Sequence, residues 1–173
     1  SRDNCHPFVS GRWSFMHNGQ IGGFERIRRR LEANLPDMLY DQLHGTTDSE
    51  LIFLLMLHEG LDQDPQDATA RAVARVLAAC AEAGVEPALK LTAAFADGER
   101  LHAVRYASAG SAPTLYAGVF RDGAGRCLVS EPFDHDAPAW QPIPPGSFVT
   151  MSRDSVAIRA FAPQEQTALA LAG

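Results

Sequence analysis

The first half of the chain carries hydrophobic positions at helical intervals. Phe24, Ile27 and Leu31 recur every three or four residues, which is the spacing of one helix face. A second apolar segment, LIFLLMLHEGL, follows a capping box that begins at Thr47. Because this segment is apolar on nearly every side, it predicts a buried helix. We therefore expect helices at residues 23–34, 37–44, 47–61 and 67–83.

The second half of the chain has short β-type runs separated by turn residues, a pattern typical of strands. In KLTAAFADGERLHAVRYAS, Asp97 and Gly98 lie between two β-type runs and predict a hairpin. Further strands are predicted in TLYAGVF, RCLVSEPF, SFVTMS and SVAIRAF, which Gly, Pro and Asp separate. Near the N-terminus, residues 12–16 predict a strand that ends at a turn made by Asn18 and Gly19. Helices followed by antiparallel strands indicate an α+β layered domain.

Composition and charge exclude several classes of protein. A chain of 173 residues with 46% hydrophobic and 21% charged residues fits one globular domain. The net charge of −6 argues against a general nucleic-acid binder, whose domain should be basic. The basic run Arg26–Arg30 is interpreted as the solvated face of a helix. No apolar run approaches the ~18 residues of a membrane span, so no membrane partner is expected.

The cysteines and histidines predict neither a disulfide framework nor a metal site. Cys5, Cys80 and Cys127 are odd in number and far apart, which favours a reducing, cytoplasmic compartment. The histidines form no HxxxH pair and no HExxH motif, so no metal is expected. The sequence also lacks a GxSxG elbow and a phosphate-binding glycine loop.

Three short segments remain, and each has a purely structural interpretation. In NCHPF, the dipeptide His6-Pro7 could be extended chain that enters a strand. In HNG, Asn18 and Gly19 could form a plain turn. In TTDSE, Thr47 could be a helix cap.

Together these segments have a chemical meaning. The Asn18 side-chain amide and the Gly19 backbone N–H are donors that could converge on a carbonyl oxygen and stabilise it as an oxyanion. Asp48, at a helix start, could hold an ammonium group. This combination predicts a site for an α-amino acid with a side-chain amide, which is a glutamine site that lacks only its nucleophile.

At this point the chain resembles a known family. NCHPF, FMHNGQI and GTTDSE, in this order, resemble the class-II glutamine amidotransferases, a branch of the N-terminal-nucleophile hydrolases. TAAFADGERLHAVRY, TLY, VSEPFD and WQPIPPGSFVTM are similar to the stand-alone members, which include the ergothioneine-pathway amidohydrolase and glutathione-degrading relatives. The resemblance covers about residues 3–151. It implies an αββα four-layer sandwich, no metal and no organic cofactor.

The resemblance also implies roles for individual residues. Asn18 and Gly19 correspond to the oxyanion hole, and Asp48 corresponds to the carboxylate that binds the substrate α-amino group. His6 and His17 correspond to histidines that shape the pocket. The expected partner is small-molecule glutamine or a γ-glutamyl compound, with the oligomeric state left open.

The nucleophile is where this sequence departs from the family pattern. Family members attack the amide with a cysteine at the mature N-terminus. Cys5 is not terminal, and the resemblance places Ser1 well downstream of the family's first strand. We therefore expect residues 1–173 to be one class-II glutamine amidotransferase domain whose N-terminal nucleophile segment is absent from this chain. The alternatives are a catalytically inactive glutamine- or γ-glutamyl-binding domain or a glutaminase partner of a separate synthase.

Overall fold

The computed structural model describes residues 2–120, 123–133 and 140–163. These residues form two antiparallel sheets and a layer of helices. A short 3-10 helix, Arg2–Asn4, comes first. The helices and strands are, in chain order, β1 (Phe8–Ser10), β2 (Trp13–Ile21), α1 (Phe24–Glu32), α2 (Asp37–Tyr40), α3 (Asp48–His58), α4 (Pro65–Glu82), β3 (Leu89–Ala96), β4 (Leu101–Ala107), β5 (Tyr116–Val119), β6 (Arg126–Val129), β7 (Gln141–Pro142), β8 (Ser147–Met151) and β9 (Val156–Ala160).

The larger sheet has six strands in the order β1-β2-β3-β4-β8-β9, and the smaller has three in the order β6-β5-β7. The predicted hairpin is confirmed, since residues 90–96 of β3 pair with the whole of β4. Its turn is held by Asp97, whose carboxylate accepts the backbone N–H groups of Glu99 and Arg100 at 2.9 and 2.7 Å. Gly98 has a φ of 91°, a conformation that favours glycine.

Side-chain alternation along the strands creates two cores. On β4, Val104 contributes to the core beneath the helices, while its neighbour Ala103 contributes to the core between the sheets. On β8, Phe148 and Val149 divide in the same way. All four described helices contribute to the first core. The α+β prediction is therefore confirmed, with helices, large sheet and small sheet as the three layers of the described residues.

The helix predictions are confirmed with small differences in extent. α3 is buried from Ser49 to Met56, as expected for a segment that is apolar on nearly all sides. α2 stops at Tyr40, short of the predicted end at residue 44. The capping box is half formed: the Thr47 hydroxyl accepts the Glu50 N–H at 3.3 Å. The Glu50 carboxylate instead accepts backbone N–H groups of the preceding loop.

The prediction of a turn at Asn18 and Gly19 is wrong. β2 continues to Ile21, and these two residues pair with Thr92 and Leu91 of β3 in an unbroken antiparallel register. An Asn-Gly turn signal is local, and the full-length partner strand overrides it. Glycine is still required, because a Cβ at Gly19 would lie 2.0 Å from the Lys90 carbonyl oxygen. The chain bends only after β2, at Gly22 and Gly23.

Candidate active site

The second half of β2 presents backbone donors at the edge of the large sheet. The Gly22 N–H donates to the Ala88 carbonyl at 3.0 Å. Hydrogen-bonded and non-hydrogen-bonded residue pairs alternate along an antiparallel ladder. Because Gly22 is hydrogen-bonded to the chain beside it, Gly19, three positions earlier, falls in a non-hydrogen-bonded pair, and its N–H points away from β3. In the described part of the chain β1 pairs with residues 13–15 and stops short of this point. The Gly19 N–H is thus directed toward an edge that β1 does not reach.

Asp48 lies at the same edge. It is the first residue of α3, and its Oδ2 atom accepts the Ile21 N–H at 2.8 Å. Ile21 and Gly19 are two residues apart on one strand, which is about 6.8 Å. The start of a helix also favours a negative charge. The predicted carboxylate and the predicted backbone donor therefore lie at the same edge of the large sheet.

The loop before Asp48 is braced from two sides. Asn4 accepts the Thr46 N–H at 2.9 Å, and its amide donates to the Thr46 hydroxyl at 3.1 Å. Glu50 accepts the N–H groups of His44 and Gly45 at 3.0 and 2.8 Å. A Cβ at Gly45 would lie 2.5 Å from the Asn4 amide oxygen, so the close packing needs glycine. The segments NCHPF and GTTDSE are thus in direct contact, and this contact fixes the start of α3.

His17 is buried between β2, β3 and α3. Its Nε2 atom is 3.2 Å from the Lys90 carbonyl oxygen, and its Nδ1 atom is 2.9 Å from the Ser49 hydroxyl. Burial lowers the pKa of His17, against opposing contributions from the Lys90 carbonyl and the Asp48 carboxylate. The ring lies against Gly19, where a Cβ would be 2.7 Å from Nε2. His17 thus packs against Gly19 and the start of α3 from the helix side of β2.

Asn18 faces the opposite side, toward the small sheet. It lines a pocket of about 220 Å³ together with His6, Thr92 and Leu128, and His17 also borders this pocket. Partial loss of hydration lowers the pKa of His6, and the negative charge of the Asp48 carboxylate opposes this shift. Asp48 is not among the residues that line the pocket. The predicted residues therefore form two adjoining parts: a pocket at Asn18 and an edge at Gly19 and Asp48.

None of the three cysteines lines this pocket. Cys5 is exposed and lines a separate pocket of about 210 Å³ that also contains His44 and Glu50. Burial raises the pKa of Cys80 on α4 and of Cys127 on β6, which disfavours the thiolate form. Ser1, the other nucleophile considered from the sequence, lies outside the described residues.

Two residues at the site were missed by the sequence analysis. Ser49 contacts His17 directly, and Thr92 lines the pocket while its hydroxyl donates to the Pro113 carbonyl at 2.8 Å. Ser49 lies inside the GTTDSE segment, so its position beside Asp48 was a usable signal. Thr92 carried no local signal, because it reaches the site only through its pairing with Asn18.

Across residues 2–120, 123–133 and 140–163, no group of three or more His, Cys, Asp or Glu side chains is placed to hold a metal ion. The helices described are all too short or too polar to cross a bilayer.

Comparison with known proteins gives a consistent result for sequence and structure. Residues 1–113 match the family model for class-II glutamine amidotransferases. A probable glutamine amidotransferase of Saccharomyces cerevisiae, DUG3, is 36% identical over 125 residues. That match covers 61% of this chain, and the chain spans only 35% of the yeast protein's length.

Solved structures show the same relationship. A glutamine aminotransferase class-II domain protein from Silicibacter pomeroyi superposes with a TM-score of 0.89 at 44% identity, covering 94% of this chain and 73% of that one. Glutamine phosphoribosylpyrophosphate amidotransferase from B. subtilis superposes with a TM-score of 0.64 at 14% identity, over 95% of this chain and 33% of that one. The second likeness concerns the fold alone. Both support the α+β sandwich of the N-terminal-nucleophile type.

Proposed function

The chain belongs to the class-II glutamine amidotransferase family, and on that premise we propose that it hydrolyses the side-chain amide of glutamine or of a γ-glutamyl compound. The observation that carries the proposal is the edge of β2. There the Gly19 N–H lies two residues along the strand from the Ile21 N–H, which donates to the Asp48 carboxylate. In glutamine, two methylene groups separate the amide carbonyl carbon from the α-carbon that bears the ammonium group. The two protein groups match these two ends of the substrate.

The proposed reaction proceeds through a thioester. A cysteine thiolate of the N-terminal-nucleophile kind attacks the amide carbonyl, and the Asn18 amide and the Gly19 N–H stabilise the oxyanion. Collapse of this intermediate breaks the C–N bond, and the leaving amine takes up the proton that the cysteine thiol lost when the thiolate formed. Water then attacks the γ-glutamyl thioester, and the same donors stabilise the second oxyanion. The products are glutamate, ammonia or an amine, and the regenerated thiol.

Asp48 binds the substrate in this proposal and takes no part in bond breaking. One of its carboxylate oxygens is already used by the Ile21 N–H, which holds the carboxylate in place. The other oxygen, Oδ1, lies 3.4 Å from the Ser49 hydroxyl. It is the atom offered to the substrate's α-ammonium group, with which it would form a charge-assisted hydrogen bond.

Turnover by the protein expressed from its full reading frame tests this proposal. Release of ammonia or amine from glutamine and from a set of γ-glutamyl amides is measured for the wild type, Asn18→Ala and Asp48→Asn. Asn18→Ala should lower kcat about 100-fold or more, as loss of one oxyanion donor does elsewhere. Asp48→Asn should mainly raise KM.

A surface asparagine provides the matched control. Asn34 lies just past the end of α1, where its side chain donates to the Arg30 carbonyl and accepts from Arg75. Asn34→Ala should keep wild-type kinetics. A near-wild-type rate for Asn18→Ala would remove Asn18 from the oxyanion hole. Binding of glutamine without turnover by the wild type would favour an inactive γ-glutamyl-binding domain instead.

A further inference from the structure

The hydrogen-bond chain from Lys90 through His17 and Ser49 to Asp48 has a direction that the heavy-atom positions determine. A carbonyl oxygen can only accept, so His17 Nε2, 3.2 Å from the Lys90 carbonyl oxygen, carries a hydrogen. In the neutral imidazole, Nδ1 is then a bare acceptor. Its neighbour at 2.9 Å is the Ser49 hydroxyl, which must donate its single hydrogen to His17.

This direction leaves one oxygen of Asp48 available. The Ser49 hydroxyl is also 3.4 Å from Asp48 Oδ1, but its hydrogen is committed to His17 while the ring is neutral. Asp48 Oδ2 is occupied by the Ile21 N–H at 2.8 Å. With neutral His17, Oδ1 is therefore the atom best placed to receive an ammonium group.

Protonation of His17 reverses the direction of the hydrogen bond between His17 and Ser49 and leaves the bond to Lys90 unchanged. The Nε2–H continues to donate to the Lys90 carbonyl, but Nδ1 becomes a donor to the Ser49 oxygen. The hydroxyl hydrogen is released and can turn to Asp48 Oδ1. The carboxylate then has a competing donor on the atom that the ammonium needs, and it faces a positive charge close by.

We propose that Ser49 is a positioning residue that couples the protonation state of His17 to the Asp48 carboxylate, and thereby sets how tightly Asp48 holds the α-ammonium group of the substrate. This inference rests on the proposed function, because that function assigns the ammonium group to Asp48. It predicts that affinity for the substrate is lost at acid pH through this chain of contacts.

The surroundings of His17 agree with a neutral ring at neutral pH. His17 and Ser49 are only 9% and 6% exposed, and burial lowers the pKa of His17. The charged or titratable groups that face the ring are Asp48 from α3, which raises its pKa, and His6 from the segment before β1, which lowers it. β3 presents the Lys90 carbonyl oxygen. By reciprocity, an ammonium group bound at Asp48 should lower the pKa of His17 further.

Steady-state kinetics across pH test the coupling in the protein from its full reading frame. For the wild type, KM for glutamine should rise about tenfold as pH falls through the pKa of His17, while this group leaves kcat unchanged. Ser49→Ala should reduce that rise to about threefold or less, and Ser49→Thr, which restores a hydroxyl, should recover it. Thr69→Val, which removes a buried hydroxyl that donates to the Pro65 carbonyl in α4, should keep the wild-type profile. An identical KM profile for the wild type and Ser49→Ala would overturn the inference.

A second measurement does not depend on turnover. Side-chain ¹⁵N NMR of His17 should show the Nε2–H tautomer, and L-glutamate should lower its pKa in the wild type and less so in Ser49→Ala. Glutarate, which lacks the amino group, should leave that pKa unchanged. An Nδ1–H tautomer, or no pKa shift with L-glutamate, would overturn the inference. Absence of amide hydrolysis by the wild type would instead contradict the proposed function, and the NMR result would still decide the role of Ser49.

Discussion

Large aromatic side chains such as Phe15, Phe53 and Phe95 fill the face of the six-stranded sheet that meets the helices. The apolar side chains packed between this sheet and the small sheet are fewer and smaller, among them Ala103 on β4 and Ala117 on β5. We call these two sides of the large sheet the helix face and the sandwich face. The helix face has tight packing and holds the start of α3 against β2. The sandwich face leaves the pocket of about 220 Å³ beside Asn18.

Because of this difference, the two sides of β2 have different surroundings. β2 sends His17 toward the helix face and Asn18 toward the sandwich face. Tight packing on one side fixes the position of Asp48, since a close-packed interior resists small displacements. The other side contains an open pocket. The site therefore lies where a rigid face and an open face meet at one edge of the sheet.

The largest effect is expected from truncation on the helix face. Phe53 is 1% exposed, and its ring stacks on Phe15 with centroids 5.2 Å apart. Phe53→Ala should lower the free energy of unfolding by about 3–5 kcal/mol, because it leaves a cavity in a closely packed core. Urea denaturation measures this loss. A loss below about 1 kcal/mol would show that the helix face is not tightly packed.

A slightly smaller effect is expected where β2 and β3 approach most closely. Gly19 has a φ of 150°, and a Cβ there would lie 2.0 Å from the Lys90 carbonyl oxygen. Gly19→Ala should cost about 3 kcal/mol in unfolding free energy through overpacking and strain. Gly84→Ala is the control: its φ is 59°, nothing lies within 4 Å of the added Cβ, and the expected cost is only about 1 kcal/mol. Equal costs for the two variants would contradict the close approach.

Truncation on the sandwich face should be mild. Leu128 is half-buried and already borders the pocket, so removing its side chain enlarges an existing space. Leu128→Ala should cost about 1 kcal/mol in unfolding free energy. The same urea series as for Phe53→Ala provides the comparison. A cost as large as that of Phe53→Ala would remove the distinction between the two faces.

The smallest effect concerns the pH dependence of the helix face. His102 is buried among Trp13, Phe95 and Phe148, and its Nε2 atom has no hydrogen-bond partner in the described residues. Burial lowers the pKa of His102 from 6.5, against an opposing contribution from Asp97.

As pH falls below 6.5, the unfolded chain therefore takes up a proton at this position that the folded chain resists, and stability declines. His102→Phe should show a smaller drop in Tm between pH 7 and pH 5.5 than the wild type. His58→Gln, at an exposed position, serves as control. An unchanged drop in the His102 variant would mean that this group does not contribute to acid sensitivity.

Several elements could be predicted because their signals are local. The helical spacing of Phe24, Ile27 and Leu31 predicted α1, and Asp97-Gly98 predicted the hairpin. Asp48 and Gly19 could be proposed as site residues because their functional groups suit a glutamine substrate. The turn at Asn18 and Gly19 failed for the opposite reason, since a strong local signal was overridden by pairing with a strand about seventy positions away.

By itself the sequence determined the chemistry available to this protein: an amide, a backbone donor without a Cβ, a carboxylate at a helix start, and no nearby pair of cysteines. Only the tertiary structure decided how these groups are used. Asn4 braces the Asp48 loop across 42 positions, and His17 meets Lys90 across 73. Such contacts depend on which strands pair and which helix covers them. Short-range patterns of hydrophobic and polar residues do not specify that pairing.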